Sequence, residues 1–445
     1  MTNSIDTQNS AQGRSGFLTQ TAFVFAIGVL GQLIAFVVQA WVARTIGEDS
    51  FGTYTFVYSW IDILLVGGVL GLDQALIKFM PKHTTQNEWG LASGVLHFAQ
   101  RGSLAVSLPI TIVGIGIVVV SPLEPTLAWT FVLGLALLPL WSHFRVLLGA
   151  LTGLHLVALA QSFRSIIRPA IWGATLLLAI RVFDAPPTAP TTMATQLGGF
   201  VLVTLGARYA LRRSRPDAII NTARKEARRE WLTVSLPLTL TNAMRIVLMR
   251  TDIILVGILI GTTEAGIYAV GSRLAQLLTF GLSASNRVVA PRISSLFSKN
   301  QTSQLQRLVA QSAVLSTVSM LILTGFLIAT SNILLGFFGE RFLEARPIFL
   351  ILALMQLVNA ATGPVGQLMN MCDEQLLNSK ILATMLAVNL IANIPAVLAF
   401  GAIGAAWVTC AVGIIRNLWS WIAVKRILNI DSSVISARTL IGSKS

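Results

Sequence analysis

About a dozen long apolar segments, threaded by arginines far from any segment end, constrain this chain more than any other feature. A lone arginine at the centre of a bilayer helix costs roughly 2.5 to 3.5 kcal/mol, so a chain that keeps several there needs a compensating environment, usually a polar cavity. Of the 445 residues 54% are hydrophobic and 11% charged, and the mean hydropathy is +0.74. That balance excludes a water-soluble multidomain protein and fits a polytopic membrane protein. The formal charge of +14 invites a nucleic-acid reading, but many of the basic residues lie between or inside apolar runs rather than on a solvated face. Cys372 and Cys410 imply neither a disulfide framework nor a cysteine metal site.

At about 20 apolar residues per crossing, helices are predicted over 17–43, 52–77, 92–120, 126–150, 158–180 and 191–211, and again over 232–260, 265–289, 304–330, 346–371, 378–400 and 402–424. The fold class expected is therefore an all-α polytopic membrane protein of twelve transmembrane helices, in two pseudo-symmetric six-helix bundles around a central cavity. Residues 1–16 form a polar tail, and the run from Phe17 lacks a cleavage pattern and reads as an uncleaved first span. The bundles occupy 17–211 and 231–427, joined by a basic stretch over 212–230 that holds Arg212, Arg213, Arg215, Arg224, Lys225, Arg228 and Arg229, and 428–445 form a C-terminal tail. Lysine and arginine favour the cytoplasmic side. Loops on the side of 212–230 carry Lys78, Lys82, Arg287, Arg292, Lys299, Lys425 and Arg426, whereas the alternate loops carry Glu48, Asp49, Glu124, Asp184, Glu264, Glu340 and Glu344 against few basic residues. Both termini are thereby expected in the cytoplasm.

An internal repeat supports two related halves. Ile46, Gly47, Gly52, Tyr54, Leu64 and Gly67 recur at a constant offset as Ile260, Gly261, Gly266, Tyr268, Leu278 and Gly281. Six spans separate the copies, so the halves run in the same direction and are expected to be related by an axis along the membrane normal.

Polar residues at helical spacing mark the faces that avoid lipid. In the seventh span Ser235, Thr239, Asn242, Arg245, Met249 and Asp252 share one face, with Arg250 off it. Arg245 and Asp252 are two turns apart, too far for a close pair within the helix. Two readings are open here: interhelical salt bridges, or the lining of a wet cavity. The fifth span places Gln161, Arg164 and Arg168 on one face beside Pro169, nearer the cytoplasmic end, where snorkelling to the headgroups is the competing reading. The second span adds Tyr54, Tyr58 and Asp62, the eighth Arg273 and Gln276, the tenth Gln356, Asn359, Gln367 and Asn370 around Pro364, and the twelfth Arg416 with Asn417. Within the spans Arg145, Arg164, Arg168, Arg245, Arg250, Arg273 and Arg416 face only Asp62 and Asp252, a cationic interior suited to an anion. Arginine keeps its charge when partly dehydrated and offers planar bidentate donors, which favours a phosphate-bearing ligand over a cationic one.

The sequence has no G-x-x-x-x-G-K-[ST] loop and no G-x-S-x-G elbow, and His83, His97, His143 and His155 do not fall at metal-ligand spacing. No cofactor and no enzyme activity is expected.

Gly71-Leu72-Asp73-Gln74-Ala75-Leu76-Ile77-Lys78-Phe79-Met80-Pro81 resembles the GLD-x-A-L-[IV]-[RK]-F-x-P stretch of bacterial polysaccharide flippases. Ala43-Arg44-Thr45-Ile46-Gly47 followed by Phe51-Gly52-Thr53-Tyr54 is similar to their AR-x-LG-x-x-x-FG-x-Y segment. Arg250-Thr251-Asp252, Gly266-Ile267-Tyr268 and Ala290-Pro291-Arg292 resemble the R-x-D, G-x-Y and AP-[RK] elements of the same family, which lies in the multidrug/oligosaccharidyl-lipid/polysaccharide exporter superfamily. The resemblance implies an inner-membrane flippase that moves an undecaprenyl-pyrophosphate-linked oligosaccharide, an O-antigen or exopolysaccharide unit, to the periplasmic leaflet by alternating access. On that reading Arg164, Arg168, Arg245, Arg250, Arg273 and Arg416 bind the pyrophosphate or acidic sugars, and Asp62 and Asp252 couple transport to H+ or Na+. A multidrug cation antiporter of the same superfamily is the alternative, with a more acidic or apolar lumen. A membrane glycan polymerase would need an acidic catalytic residue on a larger outer loop.

Overall fold

The computed structural model describes the backbone of residues 2–436, with side chains from 23 onward except at 280–285, 287 and 288. The side chains of the expected tail 1–16 and of Arg287, and the chain beyond 436, lie outside the described residues. Helices α1 (Thr2–Ile46), α2 (Glu48–Val69), α3 (Leu72–Thr85), α4 (Trp89–Val120), α5 (Pro125–Gly153), α6 (Val157–Ser162), α7 (Arg168–Val182), α8 (Ala189–Ser214) and α9 (Asp217–Asn221) are followed by α10 (Arg228–Leu259), α11 (Thr262–Ser298), α12 (Thr302–Gly336), α13 (Arg346–Ala361), α14 (Val365–Met371) and α15 (Gln375–Leu428). A π-helical turn at Phe163–Ile167 joins α6 to α7, and a 3-10 turn at Glu340–Ala345 leads into α13. Among the described residues there is no strand.

Every predicted span falls on helix, with breaks that periodicity did not announce. The segment 52–77 divides at Leu70 and Gly71, both at positive φ, and 346–371 divides around Gly363 and Pro364. Gly401, at φ 65 and ψ −150, breaks α15 into two arms, at the point where the eleventh and twelfth spans were separated. Eight helices among the described residues are long and apolar enough to cross a membrane, with both arms of α15 counted as one. The chain is a multi-pass membrane protein. The predicted sixth, seventh and eighth spans, α8, α10 and α11, fall short of that apolarity. In α10 and α11 the reason is the charge they carry at Arg245, Arg250, Asp252 and Arg273.

The chain divides into two compact units, residues 1–46 with 61–243, and 47–60 with 244–445. The division falls inside α10, and the basic stretch 212–230 lies within the first unit. In the first unit α5 packs against α3, α4 and α8, burying Leu137, Leu138, Phe144 and Leu147. In the second, α11 packs against α12, α13 and α14, and α13 against α15.

The repeat has a packing reason in the second unit. Gly52 and Gly266 face each other: a Cβ on Gly52 would strike the Thr262 carbonyl, and one on Gly266 would lie 2.7 Å from the Gly52 Cα. The start of α2 therefore lies directly against the start of α11, where Thr263 Oγ1 donates to Asp49 at 2.6 Å. Gly52→Val is expected to cost roughly 1–3 kcal/mol by overpacking and to lower the melting temperature in detergent by several degrees. Gly116→Ala, where a Cβ meets nothing within 4 Å, is the neutral control.

The described part of the C-terminal tail is docked on the second unit. Ser432 Oγ donates to the Thr362 carbonyl at 2.8 Å and the Val434 amide to Ala361 at 2.9 Å, across the break between α13 and α14. Asp431 exchanges two backbone bonds with the Gln306 amide, and its carboxylate accepts from Trp421, Lys425 and Ser433. Partial burial pushes the Asp431 carboxyl up, but the bonds from Ser433, Trp421 and Lys425 outweigh it and hold it at about 2, below the ordinary 3.8. A carboxyl depressed on folding contributes stability that is present in full above its unfolded pKa and lost as pH falls through the folded one. Hydrogen-exchange protection of Val434, corrected for intrinsic rate, is expected to hold above pH about 4 and to fall between 4 and 2, a step that Asp431→Asn removes.

Candidate functional site

In the first unit the sequence-predicted arginines gather around one acid. Asp73, buried at the start of α3, accepts from Arg145 Nη2 of α5 at 2.6 Å. Arg164 lies within electrostatic reach of Arg145, Arg168 and Asp73. Asp73 is bonded by Arg145 and lies within reach of Arg164, which has Arg168 near it as well, so the three guanidinium groups outnumber this carboxylate. Arg145, counted among the unpaired interior arginines, is the one that Asp73 neutralises.

A backbone irregularity aims the other two. The Arg168 amide donates five residues back, to the Phe163 carbonyl, and Pro169 follows with no amide to give. The resulting π turn offsets Arg164 from Arg168 relative to a regular helix, and Gln161 Nε2 bonds Ser165 Oγ across it at 2.8 Å. Arg168 is half-buried with its guanidinium 5.8 Å from the Trp141 ring centroid and 5.9 Å from that of Phe200, on α5 and α8. It is packed inward against aromatic faces rather than snorkelled away from them. Arg164 remains exposed and Asp62 is half-buried.

In the second unit the expected stripe on α10 separates into two environments. Arg245 is exposed, and the half-buried Arg416 of α15 lies within electrostatic reach of this like charge. Arg250, off the stripe, is half-buried with its guanidinium 5.9 Å from the centroid of the Tyr58 ring, and Arg273 on α11 is half-buried as well.

Asp252 is not part of an open arginine-lined face. It is buried, and its carboxylate is bonded by neutral groups: Tyr268 Oη of α11 and Thr409 Oγ1 of α15 donate to Oδ2, and Asn393 Nδ2 donates to Oδ1 at 3.1 Å. Asn389 Nδ2 supports Thr409 at 3.1 Å. The salt-bridge reading of Asp252 is thereby replaced by a neutral cluster. A carboxylate withdrawn from water and, among the described residues, without an ion-pair partner carries a large solvation cost. The side-chain oxygens of Asn389 and Asn393 are also buried with no hydrogen-bond donor. Carboxylate, hydroxyl and two unsatisfied amide oxygens together form the ligand chemistry that hard cations prefer. The break at Gly401 makes this cluster: it turns the second arm of α15 back so that Thr409 meets Asn389, twenty residues earlier. Among the described residues no group of three His, Cys, Asp or Glu side chains could hold a metal ion.

Sequence reasoning did not single out Asn389, Asn393 or Thr409, and named Tyr268 only in the repeat and in the G-x-Y element of the resemblance. The available signal was Asn389 and Asn393 at spacing four in an otherwise apolar segment.

Residues 17–297 match the family model described as polysaccharide biosynthesis protein. A probable low-salt glycan biosynthesis flippase, Agl15 of Haloferax volcanii, is 25% identical over 162 residues, 36% of this chain and 34% of that protein, so the match spans about a third of the relative's length. Among solved structures, an inward-facing multidrug resistance MATE family transporter of the MOP superfamily superposes with a TM-score of 0.74 at 13% identity, covering 89% of this chain and 96% of that one. A MOP superfamily transporter from Pyrococcus furiosus, described as having a binding pocket of reverse polarity, gives a TM-score of 0.64 at 12% identity, covering 91% of this chain and 94% of that one. These structural likenesses establish the fold.

Proposed function

The chain belongs to the polysaccharide biosynthesis protein family, and on that premise we propose that it is a flippase for an undecaprenyl-pyrophosphate-linked oligosaccharide, an O-antigen or exopolysaccharide repeat unit. It works in the inner membrane by alternating access, with both termini in the cytoplasm. The observation that carries the reading is the guanidinium surplus: Arg164 and Arg168 beside an already paired Asp73 in one unit, and Arg245 beside Arg416 in the other. In each unit an exposed arginine, Arg164 or Arg245, lies near a half-buried one, Arg168 or Arg416, and like charges so placed repel one another until an anion joins them; a pyrophosphate supplies paired oxygens for their planar donors. Arg250 and Arg273 extend the same chemistry to acidic sugars. A multidrug antiporter for cations would meet repulsion at these positions.

Asp252, with Thr409, Asn389 and Asn393, is the ion-coupling group of this mechanism. Two amide oxygens without donors favour a sodium-sized cation over a proton, because one proton on the carboxylate can donate to at most one of them whereas a cation can be ligated by both. Asp62 is the corresponding acid of the first unit.

Deletion of the gene with complementation tests the transport reading. Loss of surface glycan with accumulation of its lipid-linked precursor inside the cell is the expected result. Sensitivity to cationic drugs with normal glycan would favour the antiporter, and lengthening of a labelled glycan by the purified protein alone would favour a polymerase.

A further inference from the structure

Between the end of α11 and the start of α12 lies an open groove of about 400 Å³ lined by Arg292, Ser295, Gln304, Arg307 and Gln311 together with two leucines. Its charge is not balanced by the adjoining sequence. From Ala265 to Gly339 the sequence holds no aspartate or glutamate at all, while Arg292, Lys299 and Arg307 cluster at this turn. Neither groove arginine forms an ion pair among the described residues. The nearby Asp431 meets Gln306 through its backbone and directs its carboxylate to Trp421, Lys425 and Ser433.

The groove also opens onto an apolar track. Arg307 and Gln311 continue at helical spacing as Leu315, Val318, Ile322 and Phe326, and these four are exposed at 64%, 49%, 69% and 60%. One face of α12 therefore presents a cationic, hydrogen-bonding head followed by an exposed hydrocarbon stripe. In a membrane-spanning helix that sequence of chemistries matches a lipid with a phosphate headgroup. We propose that the α11–α12 groove is a binding site for the phosphate headgroup of an anionic membrane lipid, with Arg292 and Arg307 on the phosphate and the α12 stripe against the lipid chain. The site uses none of the arginines assigned to the transported substrate and does not rest on the flippase reading.

The test is a titration of the full chain in detergent micelles with phosphatidylglycerol, phosphatidylcholine or inorganic phosphate, read by native mass spectrometry. The wild type is expected to retain phosphatidylglycerol in preference to phosphatidylcholine, and Arg292→Gln with Arg307→Gln to weaken phosphatidylglycerol by about 30-fold. If the double variant does not fold, each single replacement carries the test with a loss of about 5-fold. Equal phosphatidylglycerol affinity in wild type and folded variants would overturn the proposal. So would inorganic phosphate that binds without lipid and fully displaces phosphatidylglycerol, since the site would then serve a soluble anion.

Discussion

Asp252→Asn is expected to lower the initial rate of ion-driven transport in vesicles on the order of 100-fold, the upper range of a coupling free energy between two ligands. The protein should still fold, because the amide occupies the same volume, its oxygen can still accept from Tyr268 and Thr409, and Asn393 can turn its unpartnered side-chain oxygen to the new NH2 group. What the substitution removes is the one formal charge in a buried cluster whose other members are neutral. A cation bound there is held mainly by that charge, so its loss should flatten the dependence of rate on the sodium gradient. Thr409→Ala, which removes one oxygen and leaves the charge, should shift the sodium dependence to higher concentration with the maximal rate largely kept. Unchanged gradient dependence in Asp252→Asn would leave the residue a structural link between α10, α11 and α15.

The second large effect is expected at Arg250. Arg250→Ala should abolish surface glycan in a complemented deletion strain, a loss of about 100-fold or more in export, with protein abundance unchanged. The guanidinium sits half-buried against Tyr58, so it is partly dehydrated before any substrate arrives. A partly dehydrated cation gains more from an anion than a solvated one does. Arg250→Lys keeps the charge but not the planar fork, and an intermediate glycan level is its expected outcome. Immunoblot of membranes against glycan staining of whole cells separates the two quantities. Normal glycan in the alanine variant would remove Arg250 from the site.

Much of the backbone was legible because bilayer thickness imposes a length and apolarity that a sequence cannot conceal. The boundary between the eleventh and twelfth spans coincided with Gly401, and the glycines of the repeat proved to be a close approach of two helix starts at Gly52 and Gly266. The breaks at Gly71 and Gly363 were harder to read, since glycine inside an apolar run serves close packing as readily as it ends a helix. The π turn at Phe163–Ile167 adds no residue type of its own, and only Pro169 marks it.

The site was legible by composition and less so by partner. Periodicity placed Arg245, Met249 and Asp252 on one face, yet the first two are exposed and the third is buried, because neighbouring helices cover only part of that face. Asp73 read as a motif residue at the end of a span, and its pairing with Arg145 depends on the packing of α3 against α5, which helical spacing does not encode. Asn389, Asn393 and Thr409 carry no charge, so counting charges passed over the residues that solvate Asp252.

Flipping of a polyprenyl-pyrophosphate-linked sugar by the purified protein in sealed vesicles, read as the appearance of lectin-accessible sugar on the opposite leaflet, tests the central claim most directly. The wild type is expected to flip the sugar with a rate that follows the sodium gradient, and Arg250→Ala and Asp252→Asn to fall to the level of empty vesicles. Equal flipping by wild type and both variants, or none by a folded wild type that moves a cationic drug instead, would contradict the account.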